Sequence, residues 1–255
     1  MIRKALVTIL VMSVVAGAAY GKQMRTLYTK ENRLPEKHQL ELGAKGFYRE
    51  FPEEYTNDPN SKDEYSGIPY LRFALFENFA VYGEFPVMYV DPRGGNSEFG
   101  PGDFAFGAEL VAWEDIFGYP YIIPHAEVTV PSGDEDKGMG AGTTLFSFGV
   151  SAGQVVEDVV HFIADATYTI YRTEENIARF SGSIIWDVSE IFSIHGEVQV
   201  TDEQQTEDDS NHPVYIVGGM SYEPLENLGM TVYGGGASDA DADVIAGFKV
   251  SWSFF

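Results

Sequence analysis

Three histidines carry most of the chemical potential of this chain. His125, His161 and His195 are each followed two or four positions later by a carboxylate, Glu127, Asp165 and Glu197. That spacing puts both members of a pair on one face of a β-strand. Imidazole beside carboxylate binds divalent metals or relays protons. The three pairs fall on alternate strands, about 9–10 Å apart, so only a curved wall would let them converge on one ion. A hydrated network of His, Asp, Arg and Glu is the competing reading.

The same face carries further charges. Lys45, Arg49, Arg72, Arg179 and Lys249 stand against Glu41, Glu84, Glu109, Glu127, Asp165, Asp187 and Glu197. Opposed charges of this kind set selectivity in a channel. They also pair across a barrel and partly plug it, and both readings stand. Glu41, Lys45, Arg49, Arg72, Glu84, Glu109, His125, Glu127, His161, Asp165, Arg179, His195, Glu197 and Lys249 are therefore the expected lumen lining. No catalytic residue, cofactor site or metal site is expected. There is no G-x-S-x-G, P-loop or H-E-x-x-H, and Asp208, Asp209 and His212 make an acid–base group that any acidic loop produces by chance.

The elements that must position these residues are strands. Period-two alternation runs through twelve segments, at 38–49, 67–76, 79–90, 102–113, 121–131, 142–154, 159–172, 176–187, 191–202, 213–222, 228–237 and 243–255. One face reads Leu40, Leu42, then Leu71, Phe73, Leu75, and continues through Phe104, Phe106, Phe146, Phe148, Phe180, Ile184, Val198, Ile216, Val232, Phe248 and Val250. No Asp, Glu, Lys or Arg falls on it in any segment, whereas the opposite face holds the charges.

Alternation alone does not say which face points inward. Twelve strands enclose more space than side chains fill, which favours a polar, hydrated interior. Tyr48, Tyr89, Tyr168, Trp186, Tyr222 and Trp252 lie toward segment ends on the apolar face, where interfacial girdles sit. The connections also alternate. Those at 50–66, 91–101, 132–141 and 203–212 are long, and Glu174-Glu175 and Asp239, Asp241, Asp243 mark two shorter acidic ones. Those at 77–78, 113–120, 155–158, 188–190 and 223–227 are tight. The expectation is an all-β transmembrane, antiparallel up-and-down β-barrel of about twelve strands, with ten or fourteen also open. Pro86 and Pro124 fall inside segments, where a bulge or a misplaced boundary must accommodate them.

Composition narrows the setting. Arg3 and Lys4 precede the apolar run Ala5 to Val15, and Ala19-Tyr20-Gly21 has the small-x-small form of a cleavage site. Residues 1–21 therefore read as a signal peptide, 22–37 as a periplasmic N-terminal segment and 38–255 as the barrel. An uncleaved N-terminal anchor is the alternative. Cysteine is absent, which excludes a disulfide-stapled secreted fold. The balance of 39 acidic against 16 basic residues, a net charge of −23, argues against a nucleic-acid partner. The acidic loops could bind divalent cations or simply stay solvated; either way they make the mouth negative.

Two stretches resemble a known family. Gly102-Asp103-Phe104-Ala105-Phe106-Gly107-Ala108 resembles the strand opening of the phenol-degradation MetA-pathway-like outer-membrane transporters. Val128-Thr129-Val130-Pro131-Ser132-Gly133-Asp134 followed by Gly140-Ala141-Gly142 resembles that family's strand–loop–strand signature, with Ser132 where threonine is usual. The resemblance implies a barrel in the bacterial outer membrane associated with import of aromatic or other small hydrophobic solutes. Expected partners are outer-membrane lipid, a small-molecule solute and, through the aromatic C-terminus Phe255, the barrel-insertion machinery. A structural or surface-interaction barrel with a plugged lumen is the competing class.

Overall fold

The computed structural model describes residues 24–50, 62–92, 96–114, 120–171, 176–205, 209–211, 213–238 and 244–254. The expected signal peptide, Glu174-Glu175, residues 206–208 and 212 of one acidic run, 239–243 of the other, and Phe255 lie outside them.

Twelve wall strands form one antiparallel sheet. They are β1 (Leu40–Glu50), β2 (Lys62–Phe76), β3 (Phe79–Glu84 and Val87–Pro92), β4 (Glu98–Pro101 and Phe104–Leu110), β5 (Tyr121–Val130) and β6 (Leu145–Val156). The other half comprises β7 (Val160–Ile170), β8 (Ile177–Ser189), β9 (Phe192–Gln205), β10 (Asp209–Asn211 and Val214–Leu225), β11 (Leu228–Ser238) and β12 (Val244–Phe254). Sequential strands pair throughout, and β1 closes on β12 from Leu40 opposite Phe254 to Glu50 opposite Val244. Closure removes the free sheet edges, which hydrocarbon does not tolerate.

The faces sort as the alternation demands. Ile216 is 63% exposed and Phe180 59%, and Leu42, Leu71, Phe106, Phe148, Ile184 and Val232 are exposed with them. Glu41, Arg72, Glu109, Asp165, His195 and Glu197 are buried. Apolar side chains therefore face out and charged ones face in. The β2–β3, β6–β7, β8–β9 and β10–β11 turns share one end of the barrel with Leu40 and Phe254. The β6–β7 hairpin turns on Glu157 and Asp158 at φ of 53° and 58°, the conformation whose twist suits a two-residue connection.

Strands at the long-loop end run past the apolar alternation. β2 begins at Lys62 rather than 67, β4 at Glu98 rather than 102, and β9 extends to Gln205, where Glu203–Gln205 pairs with Asp209–Asn211. A ladder needs only backbone hydrogen bonds, so a hairpin projecting into water keeps its pairing without an apolar face. Pro86 marks a break between the two halves of β3, beside the break at Gly102-Asp103 in β4. Gly102 N–H donates to Pro86 O (2.9 Å) and Phe85 N–H to Pro69 O (3.0 Å), which bridges the gap. Pro124 sits within β5 opposite Val150. Its missing N–H points, by two-residue alternation from Ile122, toward β4, where the ladder ends at Glu109 opposite His125.

Candidate functional site

The barrel interior is occupied by the chain's own N-terminal segment. The sequence reading put 22–37 in the periplasm; residues 24–34 instead bond to inward-facing side chains of six wall strands. Arg25 pairs with Asp187 of β8. The N–H groups of Leu27 and Tyr28 donate to the two carboxylate oxygens of Glu197 in β9, at 2.7 and 2.9 Å. Thr29 Oγ1 lies 2.8 Å from Ser183 Oγ of β8, and Lys30 N–H donates to Ser151 Oγ of β6 at 3.0 Å. Arg33 pairs with Glu223 of β10 at 2.5 Å, and its carbonyl accepts from Arg72 of β2 at 2.8 Å. Lys249 of β12 donates to Met24 O at 2.5 Å.

The segment is folded on itself as well as against the wall. Glu31 accepts from the N–H groups of Arg25 (2.5 Å) and Thr26 (3.0 Å), and its carboxylate pairs with Arg25 (3.0 Å) and Arg33 (3.3 Å). Burial alone would raise the Glu31 pKa, but Arg25, Arg33 and the two N–H groups outweigh it and hold the carboxyl at about 2. The N–H groups of Arg25, Thr26, Leu27, Tyr28, Lys30 and Arg33 thus all find acceptors, as burial in a lumen requires.

Of the fourteen residues singled out from the sequence, Glu41, Arg72, Glu109, Asp165, His195, Glu197 and Lys249 are buried and Arg49 is exposed, and most are held in pairs. Arg72 joins Glu109 and, at 3.6 Å, Glu41, which also accepts from Tyr70 OH at 2.8 Å. Lys45 pairs with Glu84 at 2.5 Å, and Arg49 approaches Glu64 at 3.8 Å. Glu127 accepts from Tyr82 OH at 2.9 Å, and Arg179 donates to Thr169 Oγ1 at 3.1 Å. His125 meets Asp165 at 2.9 Å, His161 meets Asp187 at 2.8 Å, and His195 stands 3.8 Å from Glu197. The i,i+2 and i,i+4 spacing thus predicts only the last pair; sheet register sets the other two. Among the described residues, no three His, Cys, Asp or Glu side chains are placed to hold one metal ion.

The lumen is less polar than the charged residues imply. Tyr121 and Ile123 of β5, Ile163 of β7 and Ile185 of β8 cluster with Val111 under Leu34 of the N-terminal segment. Tyr70 and Tyr82 also point inward, over glycines: a Cβ at Gly43 or Gly107 would lie 2.4 or 2.3 Å from a ring carbon. Below the segment, at the short-turn end, is a cavity of about 1100 Å³ lined by Arg25, Arg33, Glu36, Asp158, Asp187, Glu190, Glu223 and Glu226, among others.

The two family-like stretches serve one structural purpose. Asp103 Oδ1 accepts from the N–H groups of Ser132 (3.0 Å) and Gly133 (2.8 Å), and Oδ2 from Ala141 (2.7 Å). Ser132 Oγ accepts from Phe104 N–H and donates to Gly102 O, both at 2.9 Å. These bonds tie the 131–144 loop to the broken strand β4.

A closed antiparallel barrel with an apolar exterior, a polar wall inside and a segment threaded into the lumen has the architecture of porin-like outer-membrane barrels. The chain belongs to the family described as "Putative MetA-pathway of phenol degradation", whose model matches residues 35–254. A solved outer membrane channel from Pseudomonas putida F1 superposes with a TM-score of 0.66 at 11% identity, covering 91% of this chain and 100% of that one. The KdgM porin (TM-score 0.59, 11% identity, 84% of this chain and 99% of that one) and the NanC porin (0.58, 10%, 84% and 99%) share the fold. No curated protein matches the sequence.

Proposed function

We propose that this protein is exported, loses its signal peptide near Gly21, inserts into the bacterial outer membrane and gives a small solute passage across it. One observation carries the reading: large apolar side chains such as Ile216, Phe180 and Phe248 cover the outside of a closed barrel while ionised and hydroxyl groups line the inside. In water that arrangement is unfavourable, and in lipid it is the arrangement that satisfies both solvents. Inserted this way, outer-membrane lipid is its solvent.

The solute is proposed to be small and uncharged or hydrophobic. Family membership supports an aromatic or apolar compound, and the acidic chain, at −23, repels anions. The lumen's aromatic and Ile side chains offer apolar surface beside polar groups. A second reading, a structural barrel with a plugged interior, draws on the bonds between residues 24–34 and the wall. Single-channel recording of the refolded protein in lipid bilayers separates the two. Discrete current altered by Arg72→Ala or Glu127→Ala supports passage; a folded, silent barrel overturns it.

A further inference from the structure

We propose that the N-terminal segment is an acid-released plug, because each of three wall carboxylates that hold it, Asp187 and Glu197 directly and Asp165 through the Ser151 hydroxyl, also stands beside a histidine. Asp187 is shared by Arg25 of the segment and His161 of β7. Glu197, which receives the Leu27 and Tyr28 N–H groups, lies 3.8 Å from His195. Asp165 accepts from Ser151, the hydroxyl that holds Lys30 N–H, and meets His125 at 2.9 Å. These are the three histidines of the described wall strands, and none of them serves a strand or turn.

The charges facing each ring give the direction. His161 is faced by Asp187 of β8 and by Arg25 and Glu31 of the segment. His195 is faced by Glu197 on its own strand and by Arg25 and Glu31 of the segment. His125 is faced by Asp165 of β7 and Glu109 of β4, and Lys30 of the segment acts on that same Glu109. The seated stretch brings Arg25, Lys30 and Arg33 against one acidic side chain, Glu31, so it is a cationic element bound to an anionic wall. Neutral imidazoles leave that attraction intact. Imidazolium ions cancel Asp165, Asp187 and Glu197 from the wall side and place positive charge beside Arg25. With the segment withdrawn, the same rings meet lumen water instead of Arg25 and the buried wall. Protonation of the imidazoles therefore favours the withdrawn form: the plug is held while they are neutral and loosens as acidification charges them. The consequence for passage rests on the channel reading; the motion itself does not.

The chain has no cysteine, so one probe can be placed without background. Asn32, exposed within the segment, is replaced by cysteine and spin-labelled, and nitroxide mobility is followed in lipid vesicles from pH 8 to pH 5. The expected result is an immobile label at pH 8 and a mobile fraction that grows as pH falls toward 5. In H125Q/H161Q/H195Q the label stays immobile across that range. Should the triple variant fail to fold, Asp187→Asn supplies the second arm, freeing the label already at pH 8. A label immobile down to pH 5, or an equal transition without the histidines, overturns the proposal. Bilayer current recorded in parallel separates it from the channel reading: a mobile label in a silent barrel keeps the plug and removes the channel, whereas a conducting barrel with an immobile label does the reverse.

Discussion

Arg25 and Asp187 stand 162 positions apart in sequence and meet as an ion pair inside the barrel, one on the N-terminal segment and the other on β8. Asp187 simultaneously contacts His161, so one wall carboxylate serves a strand neighbour and a threaded segment. The pair fixes where the segment enters, directly above the cavity at the short-turn end.

Deleting residues 24–33 is expected to leave the barrel folded and to raise single-channel conductance severalfold. The wall ladders do not depend on the segment, whereas the lumen cross-section does. Unchanged conductance in a correctly folded deletion would show that ions already bypass the segment.

Arg72→Ala leaves Glu41 and Glu109 buried without their shared cation. Breaking a buried pair by removing one partner costs about 3–5 kcal/mol. Urea unfolding in detergent should show that loss, with a smaller one for Arg49→Ala, whose side chain is half-exposed and stands 3.8 Å from Glu64.

Glu31 gives the seated segment a second acid limit. Its carboxyl is held at about 2 in place, against an ordinary value near 4.3 when free. A depressed carboxyl contributes stability that is present above the free value and lost as pH falls toward 2. In H125Q/H161Q/H195Q, label mobility at position 32 should therefore begin to rise below about pH 4. Glu31→Gln should abolish that dependence and loosen the segment at every pH.

Asp103→Ala removes the acceptor of three backbone N–H groups from the 131–144 loop. Leaving such donors without partners costs roughly 1–3 kcal/mol. Protease cleavage within 131–144 should therefore accelerate in the variant.

Ile184, exposed midway along β8, tests the membrane assignment directly. Ile184→Arg places a charge at mid-depth on the outer face, where lipid imposes about 2–4 kcal/mol. Folding into vesicles should weaken by that amount. An outer face that accepts arginine without loss would contradict insertion.

Most of the wall was legible because a strand writes its two faces directly into alternate residues. Leu40, Leu42 against Gln39, Glu41, and Phe146, Phe148, Val150 against Ser147, Gly149, Ser151, specify both a strand and its partition between solvents. The strand extensions at Lys62, Glu98 and Gln205 were not legible, since pairing in water leaves no hydrophobic pattern. The candidate lumen residues were readable by position, but their partners were not. His125 finds Asp165 rather than Glu127, and His161 finds Asp187 rather than Asp165, because partners across neighbouring strands depend on register. The inward Ile123, Ile163 and Ile185 were passed over, although their alternation with His125, His161 and Asp187 placed them on that same face.

The sequence by itself determined a series of alternating strands with one apolar and one charged face, because each is a local property of neighbouring residues. Only the tertiary structure decided that residues 24–34 lie inside. Nothing local distinguishes a short polar stretch before the first strand from a solvated tail. Its place is set by Asp187, Glu197, Ser151, Glu223 and Arg72, which come together from five separate strands only when the barrel closes around it.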